Sequence, residues 1–155
     1  MLLKKTHFQK GIGGILVLLS LTLILIEYNT IFNDGNTQRY TDYSILLFIS
    51  RWSIYFVLLL AGLNTFFKAK STNLFLLLFS LSALLEIYIN ENYYIIKSID
   101  DFHAYLFLML SVIALIIAVF NVLKTGQLKV ISVVLSIILA GVIVYLPNAL
   151  ITYYF

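Results

Sequence analysis

Apolar residues run along this chain in five long blocks separated by short polar breaks. The blocks show neither the strict alternation of a half-buried strand nor the single stripe of a surface helix. About 20 helical residues cross a bilayer core of about 30 Å, and the five blocks, roughly 11–32, 44–67, 73–94, 103–123 and 128–152, all meet that length. The pattern predicts an all-α, polytopic membrane helix bundle of five transmembrane helices, a single domain over residues 1–155. Its connections are short, and only Asn33 to Tyr43, "NDGNTQRYTDY", exceeds a tight turn. No internal repeat is visible, which with an odd span number argues against an inverted-repeat transporter within one chain.

The polar breaks orient the bundle. Lys4, Lys5 and Lys10 precede the first block, Lys68 and Lys70 follow the second, and Lys124 and Lys129 lie between the fourth and fifth. The other two breaks mix charges: Asp34, Arg39 and Asp42 in one, Lys97, Asp100 and Asp101 in the other. Excess lysine marks the cytoplasmic side, so the amino terminus is expected inside and the carboxyl terminus outside. The first block starts like a secretory signal, but its apolar run continues to Ile26 with no A-x-A-like site. It is therefore expected to remain as a span.

Composition agrees. Of 155 residues 62% are hydrophobic and 11% charged, against about 25% charged in soluble domains; mean hydropathy is +1.02. The net charge of +3 sits at block ends, not on one exposed face, which argues against nucleic-acid binding. There is no cysteine, so disulfides, thiolate chemistry and cysteine-ligated metals are excluded. Richness in Ile, Leu, Asn, Tyr and Lys suits an AT-rich bacterial genome, and the expected location is a bacterial plasma (inner) membrane. On the inferred topology all seven acidic residues, and every tyrosine except Tyr55, fall on the outer side. Aromatic belts usually form at both interfaces, so a one-sided belt suggests an outer surface built for contact.

Arg51 is the main candidate for chemistry. It lies about 10 Å inside the outer end of the second block at 1.5 Å per residue, and Glu86 lies at a similar depth in the third. Intramembrane charges cost about 2.5–3.5 kcal/mol and usually pair. Arg51–Glu86 is the expected pair, with Glu27 as a second acceptor. Ser82, Glu86, Asn90 and Tyr93 recur near four-residue spacing, a polar stripe on one helix face, and Tyr55 lies one turn from Arg51. Glu27, Arg51, Tyr55, Glu86, Asn90, Tyr93 and His103 are thus the candidate ligand- or partner-binding residues of an outward-facing polar cleft. The competing structural account is an ion pair that sets helix register.

Other candidates point to structure. His7 and His103 are expected on opposite sides and cannot share a metal, and Asp100 or Asp101 suits a helix N-cap. Ser50 and Ser53 lack a base. "GIGG" at 11–14 lacks phosphate-loop spacing and suggests close helix approach. Ser132, Ser136 and Ala140, with Ser111, Ala114 and Ala118, form small-residue faces suited to packing the fourth helix on the fifth. Pro147 is expected to kink the fifth. No cofactor, metal site or catalytic residue is expected, and an enzyme acting on a lipid-linked substrate has too thin an acid–base set. The expected function is non-enzymatic binding in the bilayer, to a membrane-protein partner or as a homo-oligomer. The chain would serve as an accessory subunit of a complex or as an immunity-type protein against a toxin. The alternative is a transporter or channel component whose outer cleft is lined by Glu27, Arg51, Glu86 and Asn90.

Overall fold

The computed structural model describes residues 2–33, 42–93 and 101–154, with side chains over 7–29, 49–89, 104–147 and 149–150. Among the described residues every regular element is a helix: α1 (Leu2–Asn33), α2 (Asp42–Phe66), α3 (Thr72–Tyr93), α4 (Asp101–Val119) and α5 (Val130–Tyr154). Four of them, α1, α2, α3 and α5, are long and apolar enough to cross a membrane, while the apolar part of α4, Ala104–Val119, is shorter. The side chains facing away from the bundle are apolar: Val130, Ile131, Val134, Ile137, Ile138 and Val142 are all exposed along α5. This inverts the surface of a soluble protein.

Helices α2 and α3 form the centre. Helix α1 packs on α2, α4 on α3, and α5 lies across α2 and α3. Burial follows this order, with 61% of the α3 apolar window and 50% of the α2 window buried but only 22% in α1 and α5. The core joins Ile54, Leu58 and Ala61 of α2 to Leu76, Phe79 and Ala83 of α3, with Phe107 of α4 and Val144 of α5. Each buried aliphatic or aromatic side chain also gains close-packed dispersion contacts.

Glycine sets how closely α1 meets α2. A Cβ on Gly13 would stand 2.5 Å from the Phe66 nitrogen, and one on Gly62 would stand 2.8 Å from the Val17 nitrogen. Backbone therefore touches backbone at this crossing, as "GIGG" suggested. Of its three glycines only Gly13 makes the contact, for Gly11 and Gly14 have nothing within 4 Å.

The small-residue faces are used, but with different partners from those expected. Ser136 and Ala140 are buried and Ser132 partly so, yet α5 packs on α3 and α2, and no described contact joins α4 to α5. Ser111, Ala114 and Ala118 are buried in the same way on α4, where the Ser80 hydroxyl of α3 donates to the Ser111 carbonyl at 2.8 Å. Helix α3 separates the two faces. Small residues allow close approach to any neighbour and do not choose which one. Helix α5 continues through Pro147.

The expectation of only one long loop also needs correction. Residues 120–129 are non-helical, because α4 stops early at a Schellman-type end. Asn121 adopts φ 47°, its N–H donates to the Ala118 carbonyl and the Val122 N–H to the Ile117 carbonyl. Helix α2 ends in the same way at Lys68, φ 57°, with Ala69 N–H bonded to the Asn64 carbonyl. Helix α1, in contrast, begins at Leu2, well before the apolar block. Its Lys and Gln residues are good helix formers, and the Gln9 amide donates to the Leu123 carbonyl.

Candidate functional site: a buried charged cluster

Arg51 extends from α2 toward α1, where its Nη1 donates to Glu27 Oε1 at 3.0 Å. The Tyr55 hydroxyl, one helical turn along, reaches the same oxygen at 3.4 Å. On the α3 side the Ser50 hydroxyl donates to Glu86 Oε2 at 2.7 Å. Residues 50, 51 and 55 thus fan from α2 in two directions, because neighbours along a helix point about 100° apart. The ring of Tyr55 lies against Phe107 of α4, centroids 5.5 Å apart. One residue triplet therefore ties α2 to α1, α3 and α4.

The expected Arg51–Glu86 ion pair is not the one that forms. Both carboxylates approach α2, but it is Glu27 of α1 that stands level with the Arg51 guanidinium and takes it. Glu86 meets a hydroxyl instead of the guanidinium. Ser50 acts here as a hydrogen-bond donor, a role that its lack of a catalytic base leaves open. Its position beside Arg51 was the available signal.

The cluster is closed over. Glu27 is 3% exposed, Arg51 5%, and Tyr55, Ser50 and Glu86 0%, so these side chains line no open cleft among the described residues. Among the described residues, Glu86 Oε1, the Ser82 hydroxyl one turn away and the Trp52 indole nitrogen beside Arg51 are buried without a hydrogen-bond partner. Such an atom costs about 1–3 kcal/mol. The side chains of Asn90, Tyr93 and His103 lie outside the described residues. No group of three or more His, Asp or Glu that could hold a metal occurs among the described residues.

Toward the other end of the bundle polar side chains turn back on their own helices. Ser20 donates to the Val17 carbonyl at 2.8 Å, Thr65 to Ala61 at 2.7 Å and Ser136 to Ser132 at 2.9 Å. Groups satisfied in this way need no water. They are separated from one another by the aliphatic core, so no continuous polar track leads from the cluster to the lysine-bearing turns among the described residues.

A second polar assembly, which sequence reasoning missed, lies at those turns. Asn73, at the start of α3, donates to Asn121 Oδ1 at 2.8 Å and to the Gly126 carbonyl, while its own oxygen accepts from the Thr125 hydroxyl at 3.3 Å. One buried amide therefore organises the ten-residue loop. Asn121 and Gly126 were visible in "FNVLKTGQLK", but nothing in the local pattern names a partner 48 residues away. Comparison of the chain with protein-family models finds no match, and neither do comparisons with curated proteins and solved structures.

Proposed function

We propose that this chain is a non-enzymatic multi-pass membrane protein that acts by binding a second membrane protein, with its charged cluster serving to hold helix register. The observation that carries this is the closure of the cluster: buried Arg51 and Tyr55 both reach Glu27, and buried Ser50 reaches Glu86, between helices. A group so enclosed is poorly placed to process a substrate. It is well placed to fix three helices, leaving recognition to the outer faces and to the tyrosine-rich end. Tyr28, Tyr88, Tyr105 and Tyr145 are all exposed, and tyrosine offers rigid contact area with a polar tip at small entropic cost. Accessory subunit and immunity-type protein are two forms of this one role.

The orientation proposed is that of the lysine distribution, with α1 starting in the cytoplasm of a bacterial cell and α5 ending outside its plasma membrane. Cysteines at positions 36 and 98, both outside the described residues, should then react with an impermeant thiol reagent from outside, and one at Thr125 should not. Reaction of all three from one side would overturn the orientation.

Co-purification in mild detergent tests the function. A stoichiometric partner protein is the expected result. An isolated homo-oligomer that conducts ions in liposomes would replace this reading with the transporter or channel alternative. That alternative draws support from one observation, the unpartnered Glu86 Oε1 and Ser82 hydroxyl, a polar pair suited to a passing cation. It is disfavoured by the aliphatic core between the cluster and the lysine turns.

A further inference from the structure

The loop that joins α4 to α5 carries a pocket of about 590 Å³ lined by Val119, Phe120, Asn121, Lys124, Gln127 and Leu128. Its polar lining is rich in donors: an ammonium and two amides, with no acidic side chain. The Asn121 oxygen is already engaged by Asn73 and by the Gly126 N–H, which leaves the amide nitrogen as the group to offer. The loop is tied to α3 through Asn73, with Asn121 and Lys124 in the left-handed region at φ 47° and 51°. Gly126 is pressed against the Lys70 carbonyl, 2.8 Å from where a Cβ would stand. Lys10, Lys68, Lys70 and Lys129 are exposed on the neighbouring turns, and the chain's seven acidic residues all lie outside 119–129.

The remaining walls are apolar: Val119 at the end of α4, with Phe120 and Leu128 of the loop. Val119 is 57% and Phe120 75% exposed. A donor-rich site edged by exposed apolar side chains matches an amphiphile with an anionic head. We infer that this pocket binds the phosphodiester headgroup of an anionic phospholipid, with Lys124, Asn121 and Gln127 around the phosphate and the acyl chains against the exposed Val119 and Phe120. A soluble phosphate would use the donors but leave the apolar walls uncovered. The site presupposes the membrane embedding proposed above.

The test is native mass spectrometry of the full chain released from nanodiscs of phosphatidylcholine containing phosphatidylglycerol, alongside two variants. Lys124→Asn removes the charge and keeps a residue that tolerates the left-handed backbone; Lys68→Asn does the same on the α2–α3 turn, outside the pocket. Wild type should retain phosphatidylglycerol over phosphatidylcholine. Lys124→Asn should lose about fivefold of that preference, the contribution of one basic residue at an anionic surface, while Lys68→Asn keeps it. Equal losses in both variants would show general attraction to the lysine-rich end and overturn the site. No lipid preference, with inorganic phosphate bound instead, would overturn the lipid as occupant. Failure of the chain to enter nanodiscs at all would sink the membrane embedding itself.

Discussion

Whether Arg51 is energetically coupled to Glu27 or to Glu86 separates the structure from the pairing that equal depth suggests. The perturbations are Arg51→Met, which keeps the aliphatic stem, Glu27→Gln and Glu86→Gln, alone and in pairs. Removing one partner of a buried pair costs about 3–5 kcal/mol because the other charge is left stranded. Arg51→Met strands the Glu27 carboxylate with only the 3.4 Å contact from Tyr55, so it belongs at the upper end. Glu86→Gln keeps an acceptor for the Ser50 hydroxyl at 2.7 Å and should cost about 1 kcal/mol, as for one ordinary hydrogen bond. The Arg51–Glu27 coupling should be about 1.5–3 kcal/mol, as for hydrogen bonds to charged groups, so the double variant is much less destabilised than the sum of its singles. The Arg51–Glu86 coupling should be less than half of this. Unfolding in a series of SDS–detergent mixtures provides the assay, read by the fluorescence of the single tryptophan, Trp52, which adjoins Arg51. A larger coupling for Arg51–Glu86 would refute the arrangement.

At the α1–α2 crossing, Gly13→Ala and Gly62→Ala place a methyl within 2.5 and 2.8 Å of backbone nitrogen. Each should lower stability by about 1–3 kcal/mol, the range for overpacking, measured as a shifted SDS unfolding midpoint. Gly14→Ala meets nothing within 4 Å and should be neutral or stabilising by about 0.5–1 kcal/mol; equal losses at all three positions would contradict the crossing. Asn73→Ala removes the amide that holds the 120–129 loop and should cost about 1–3 kcal/mol through the acceptors it strands. Faster tryptic cleavage after Lys124 or Lys129 would report the loosened loop, and an unchanged cleavage rate would show that Asn73 is not its anchor.

Five helices and their approximate positions were legible in the sequence, because a long uninterrupted apolar block leaves the backbone few ways to satisfy its hydrogen bonds other than a helix. That Glu27, Arg51, Tyr55 and Glu86 would be drawn to polar partners was legible too, since charged and phenolic groups within apolar blocks must seek them. The choice of partners was not. Helical periodicity tells which residues share a face, but the neighbour that face meets depends on helix order and spacing. Gly13 and Gly62 bring α1 against α2, Arg51 meets Glu27, and Ser50 takes Glu86. Small-residue faces on α4 and α5 suggested each other and instead both meet α3. The end of α4 at Asn121 and the anchoring of its loop by Asn73 depend on contacts across 48 residues, which no local window contains. Hydrophobicity therefore determined the elements, and close backbone packing decided which polar atoms meet.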